Sequence, residues 1–211
     1  MNQKDFNQYS HKLGFQTGSL KPSIYALCDY ELLEKYKISL ESYLKICKKY
    51  NIKIIQYRDK VNTLDVQKEN LIYLRKNCDV PIIINDKIQL IDYADGLHIG
   101  QEDLDSYVKN NRALSLKLIR TKVKTKILGL STHNEVEILE ANKLDIDYIG
   151  LGAYRATTTK VVENQLGDKL PYLAKMSKHP VCAIGGVLID DIIKNTTFNV
   201  IGSGLLTNKR K

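Results

Sequence analysis

Asp86 and Asp103 each follow a short apolar run that reads as a β-strand, and a third such run ends in Gln56-Tyr57-Arg58-Asp59-Lys60. Two carboxylates brought together can share a hard divalent cation, which takes oxygen ligands, retains waters and bridges phosphate oxygens. An arginine and a lysine beside them neutralise the charge left on those oxygens. This set suits the metal-assisted departure of pyrophosphate. Taken singly, each member has a plainer role. Asn85-Asp86 can form an Asx turn, Asp103 can open a helix, and basic residues are common at strand ends.

Other strand ends carry chemistry too. Gln56, Arg58 and Lys60 alternate, so all three share one face if the strand continues that far. His98 alternates with apolar neighbours and reads as a packed histidine rather than a ligand. Ser131-Thr132-His133-Asn134 offers a hydroxyl, an imidazole and a helix cap. His133 is a candidate general acid or base, and equally a hydrogen-bonding spacer. In Gly150 to Lys160, glycines permit close backbone approach, the threonine hydroxyls can donate to phosphate oxygens, and Lys160 adds a cation. Gly185-Gly186 and Gly202-Ser203-Gly204 expose backbone N–H groups after two late strands, a common phosphate cradle in barrels.

The elements that must position these groups repeat one unit: a β-branched run, a polar or glycine-bearing loop, then a helical period. The predicted strands are Ile24–Leu27, Ile52–Gln56, Pro81–Ile84, Gly96–Ile99, Ile127–Leu130, Tyr148–Gly150, Val181–Ala183 and Val200–Gly202. The predicted helices are Leu40–Tyr50, Asp65–Asn77, Arg112–Thr121, Glu135–Lys143, Lys169–Lys178 and Asp190–Asn195, with Ser39 and Asn134 as N-caps. A short helix follows at 87–93. Eight strands joined by crossovers imply an α/β fold, a single compact (β/α)8 TIM barrel over 23–206, whose reactive groups gather at the carboxyl ends of the strands. A doubly wound open sheet gives no reason for polar residues to follow so many strands. Too little chain remains after the last strand for an eighth covering helix, leaving 207–211 as a basic tail. Residues 1–22 form an extension in which Phe6, Tyr9 and Leu13 mark a short amphipathic helix; it is expected to fill the place of the missing one.

Composition narrows the class. The chain has 211 residues, 43% hydrophobic and 27% charged, an ordinary globular balance for one domain. No apolar run is long enough to span a bilayer and no targeting segment is evident, so no membrane partner and a cytoplasmic setting are expected. The net charge of +8 is spread over surface-type positions without interleaved aromatics, which favours small anions over nucleic acid. Cys28, Cys47, Cys78 and Cys182 form no C-x-x-C pair and read as reduced, mostly buried thiols. Homo-oligomerisation is compatible with the sequence.

In order, QYRDK, ND, HIGQEDL, GLSTHN, DYIGLG followed by TTTK, AIGG and the late Ser203 resemble the thiamine phosphate synthase family, which includes thiazole tautomerases. The likeness spans about 24–206. It implies a barrel that joins hydroxymethylpyrimidine pyrophosphate to thiazole phosphate and releases pyrophosphate by a dissociative mechanism. By the same resemblance Gln56, Arg58, Lys60, Asn85, Ser131 and Lys160 hold the pyrimidine pyrophosphate, and Arg58, Lys60, Lys160 and Ser131 serve catalysis. Asp86 and Asp103 bind Mg2+, while Thr157, Thr159, Gly186 and Ser203 belong to the thiazole phosphate site. A tautomerase would use His133, but synthases carry that histidine as well. The acids and Lys160 together favour the synthase over a tautomerase or a non-catalytic barrel that binds thiamine precursors. The chain departs from the family at Ala153, Arg155 and Ala156, where proline and aromatic residues are usual, and at Gly202.

Overall fold

The structure, a computed structural model, describes residues 22–156 and 165–207. Eight parallel strands close a barrel in chain order: β1 Ser23–Asp29, β2 Ile54–Arg58, β3 Ile82–Asn85, β4 Gly96–Ile99, β5 Ile127–Thr132, β6 Tyr148–Gly152, β7 Val181–Ile184 and β8 Phe198–Ile201. Closure pairs β1 with β8, Tyr25 lying opposite Val200. The α/β barrel expected from the sequence is the fold observed.

Alternation along each strand divides the apolar residues into two cores. Tyr25, Leu27, Ile54, Ile83, Ile127, Tyr148, Cys182, Phe198 and Val200 fill the barrel. Their neighbours, such as Ala26, Ile55, Ile82, Ile84, Leu128 and Ile149, face the surrounding helices. Strands buried on both faces read as continuous apolar runs, which is why they stood out in the sequence.

The helices follow their caps. Ser39 accepts from Ser42 N to start Leu40–Lys49, and Asn134 accepts from Glu137 N to start Glu135–Ala141. Thr63 caps Leu64–Asn77, and Arg112–Val123 lies as expected. Of two further helices, Tyr30–Lys35 was not anticipated, being short with little apolar periodicity, and Gln101–Tyr107 is the helix that Asp103 could open, begun two residues before it. The connection from β3 is a 3-10 helix, Ile88–Tyr93. The expected helix Lys169–Lys178 is shorter, running Leu170–Ala174 behind one 3-10 turn.

The expected helix Asp190–Asn195 does not form. Its polar groups are engaged elsewhere: the Asp191 carboxylate takes Leu188 N and Arg155, and its carbonyl takes Asn199 Nδ2 at 2.8 Å. After β8, which begins two residues earlier than expected, a single helical turn runs Ser203–Leu206 and buries Leu205. The proposed N-terminal helix and the end of the tail lie outside the described residues.

Candidate active site

The carboxyl end of β2 supplies Gln56 and Arg58, which alternate on the barrel's inner face. Arg58 pairs with Asp29, its register partner on β1, and lies 3.7 Å from Glu31. Asp29 is 2% exposed; its other oxygen accepts from Leu32 N at 3.1 Å, so one carboxylate both caps a helix and holds the guanidinium. Sequence reasoning missed Asp29, although it continues the inward series Tyr25, Leu27.

The strand stops at Arg58, two residues past its predicted end, so the condition under which Lys60 would share its face is not met. Buried Asp59 accepts from Tyr57 Oη at 2.6 Å and from the backbone N–H groups of Val61 and Asn62 at 3.0 Å. These bonds turn the chain and leave Lys60 exposed on a loop. Lys60 still acts on Asp86, whose carboxyl it pulls down.

At the end of β3, Asp86 has a left-handed backbone, φ 60°, and its N–H donates to the His98 carbonyl at 2.9 Å. Asn85 Nδ2 donates to an Asp86 oxygen. Asp103 stands in the first turn of Gln101–Tyr107 and accepts from Gly100 N at 3.2 Å. Burial pushes the Asp86 carboxyl up to about 6, and the nearby acid Asp103 adds to the effect; Lys60 and Asn85 oppose it. The two carboxylates are therefore neighbours.

Two neighbouring carboxylates repel each other, and a dication between them would offset that repulsion. Among the described residues no group of three or more His, Cys, Asp and Glu could hold a metal. Two carboxylates alone suit a cation that fills its shell with water and substrate oxygens, as Mg2+ does, and not one that needs an all-protein cage. The residues present fit that metal.

Ser131 lies near the end of β5, its Oγ 2.9 Å from His98 Nε2. His98 is a packed histidine, as expected, and burial first, then the His133 charge, lowers it to about 4. Its Nδ1 lies 2.9 Å from Tyr148 Oη. Tyr148 Oη lies 2.9 Å from Tyr25 Oη, which accepts from Gln56 Nε2 at 2.9 Å. Gly129 makes room for this: a Cβ there would lie 2.1 Å from Tyr148 Cζ. His133 is 43% exposed, its Nδ1 held 2.9 Å from Glu137 Oε2.

On the far side of the same rim, Gly185 and Gly186 take left-handed backbones, φ 83° and 65°. A Cβ on Gly186 would lie 2.6 Å from the Ala156 carbonyl. Arg155 N donates to the Gly185 carbonyl at 2.8 Å, and its guanidinium grips Asp191 with two bonds, 2.5 and 3.0 Å, while donating to the Gly186 carbonyl at 3.1 Å. The departure at Arg155 thus fastens the end of β6 to the glycine turn after β7. Ser203 opens the short helix after β8. Thr157, Thr159 and Lys160 lie outside the described residues.

The structure brings Gln56, Arg58, Asn85, Asp86, Asp103, Ser131 and, on loops, Lys60 and His133 to the ends of β2 to β5, and Gly186 and Ser203 to those of β7 and β8. Sequence reasoning missed Tyr25 and Tyr148, since a tyrosine in an apolar strand carries no signal of what its hydroxyl meets.

Comparison with known proteins agrees with this architecture. A family model described as thiamine monophosphate synthase matches residues 24–202. The thiamine-phosphate synthase of Persephonella marina is 36% identical over 188 residues, 84% of either chain, and that of Staphylococcus epidermidis 31% over 176 residues, 78% of either. A solved thiamine phosphate pyrophosphorylase from Pyrococcus furiosus superposes with a TM-score of 0.71 at 21% identity, covering 87% of each chain, and so shares the fold. With matches of that extent, the chain belongs to the thiamine monophosphate synthase family.

Proposed function

We propose that this protein is a magnesium-dependent thiamine phosphate synthase, joining hydroxymethylpyrimidine pyrophosphate to thiazole phosphate with release of pyrophosphate. The observation that carries the reading is the placing of Asp86 and Asp103 after the adjacent strands β3 and β4, with Lys60 acting on Asp86 and Arg58 fixed nearby by Asp29. In this reading Asp86 and Asp103 hold Mg2+, which when bound offsets charge on the departing pyrophosphate.

The other residues then have assignable work. Gln56, Asn85 and Ser131 orient the pyrimidine pyrophosphate. Arg58, Lys60 and Lys160 stabilise the leaving group as its C–O bond breaks, leaving a pyrimidine cation that the thiazole nitrogen attacks. Arg58 is suited to this because its geometry is set beforehand by Asp29, so little reorganisation accompanies the reaction. Thr157, Thr159, Gly186 and Ser203 hold the thiazole phosphate. The charged substrates, which cross bilayers poorly, favour a cytosolic setting.

A thiazole isomerase using His133 is the competing reading, favoured by the contact that orients the ring toward Glu137. Purified protein incubated with both substrates and Mg2+ should yield thiamine phosphate by mass, with activity lost on chelation. Failure to form product with both substrates saturating refutes the proposal. Isomerisation abolished by His133→Ala and indifferent to metal would establish the rival.

A further inference from the structure

Five side chains from five strands form one hydrogen-bonded chain across the barrel interior: Gln56 on β2, Tyr25 on β1, Tyr148 on β6, His98 on β4 and Ser131 on β5. Every link measures 2.9 Å. Its two ends are residues assigned above to the pyrimidine pyrophosphate; the three middle members have no role in that reaction. Tyr25, Tyr148 and His98 are buried at 0, 2 and 6% exposure. Polar groups in an apolar barrel must be paired or they cost stability, and the orphaned buried side-chain atoms among the described residues all lie elsewhere, on Tyr43, Gln67 and Asn199.

The pairing has a direction. Gln56 turns its amide nitrogen, which only donates, toward Tyr25. With the amide in that sense, the order that uses every donor once has Tyr25 donating to Tyr148, Tyr148 donating to His98 Nδ1, and the neutral ring donating from Nε2 to Ser131 Oγ. In this order every member is satisfied. The Gln56 carbonyl stays available as an acceptor and the Ser131 hydroxyl as a donor. Reversing the order requires the Gln56 amide to turn and makes Ser131 donate to His98, so both ends change together. An isolated glutamine and serine would present either sense independently; chained, they present one acceptor with one donor, the complement of an amino group beside a ring nitrogen.

We propose that Tyr25, Tyr148 and His98 are positioning residues that lock Gln56 and Ser131 into one proton-ordered unit for the aminopyrimidine substrate. The proposal rests on the synthase reading for the identity of that substrate. The three middle residues act through the two ends of the chain. Their effect is preorganisation: the substrate meets a fixed pattern instead of ordering two loose groups.

The test is Tyr148→Phe, which keeps the ring that fills the barrel and removes one link. Steady-state kinetics should show KM for the pyrimidine pyrophosphate raised about tenfold, the usual scale for one buried hydrogen bond, with KM for thiazole phosphate unchanged within twofold. Tyr25→Phe should act alike. Tyr25→Phe/Tyr148→Phe should be no worse than the poorer single variant, because each already breaks the chain. Calorimetric titration of pyrimidine pyrophosphate into wild type and Tyr148→Phe gives a second readout that needs no turnover. If wild type forms no thiamine phosphate yet binds this ligand about tenfold more tightly than Tyr148→Phe, the activity reading fails and the positioning role stands. Equal affinities, effects on both substrates alike, additive double-variant losses, or no binding by wild type would overturn it.

Discussion

The buried imidazole of His98 makes the stability of this barrel depend on pH in a calculable way. The ring is enclosed by the barrel and bonded through both nitrogens, and burial followed by the His133 charge lowers it from 6.5 to about 4. In the unfolded chain it binds a proton near the ordinary value, so between those limits the unfolded state holds more protons than the native one. Stability therefore rises with pH through this window and is lost as pH falls below 6.5. Integrating the two titrations puts the loss at roughly 2 kcal/mol on going from pH 8 to pH 5, reaching roughly 3 kcal/mol below pH 4. Other groups titrate over the same range, so the quantity to measure is a difference. Urea unfolding of wild type and His98→Gln at pH 8, 6.5, 5.5 and 5 should give a variant that is less stable at pH 8, having lost its bonds. That variant should nevertheless lose about 2 kcal/mol less than wild type on acidification. Parallel pH profiles would refute the reasoning, because they would mean that the ring is accessible to protons or already charged in the folded protein.

Three other outcomes follow from the same geometry. Gly129→Ala drives a methyl into the Tyr148 ring, with an overlap well inside contact distance, and should cost about 3 kcal/mol in denaturant unfolding, largely relieved in Gly129→Ala/Tyr148→Leu; simple additivity of the two substitutions would contradict it. Asp29→Asn removes the charge that fixes Arg58, a guanidinium side chain only 16% exposed, and should cost about 3 kcal/mol while raising KM for the pyrimidine pyrophosphate. Asp86→Asn should lower synthase turnover on the order of 100-fold or more and abolish its Mg2+ dependence. In the metal-free protein it should instead raise stability above pH 6, because a carboxyl whose folded value is raised costs stability once ionised; thermal melts at pH 5 and 8 check the sign.

Much of the fold and of the candidate site was legible in the sequence. Apolar strands buried on both faces announced themselves as runs such as Ile82-Ile83-Ile84, and their abrupt ends at Asn85-Asp86 or Gly185-Gly186 marked the rim, because a barrel strand leaves the core only at its ends and the carboxyl ends are where a barrel gathers its reactive groups. Ser39 and Asn134 could be read as caps since capping is local, a side-chain oxygen answering an N–H three residues on. Asp190–Asn195 failed as a helix for the opposite reason. Its groups bond to Arg155 and Asn199, and nothing in the segment itself discloses those partners.

The sequence by itself determined the strand order, the carboxylates at two strand ends and the glycines after two others, all properties of neighbouring residues. Only the tertiary structure decided what each polar group meets. Asp29 restrains Arg58 from the neighbouring strand, Arg155 clasps Asp191, and the charge of Lys60 acts on Asp86 from a loop that Asp59 turns. Tyr25 and Tyr148, 123 residues apart in the chain, meet at 2.9 Å because the closed barrel brings β1 and β6 face to face across its interior. Separation along the chain carries no information about such a meeting, since it is the closure of the sheet that sets it.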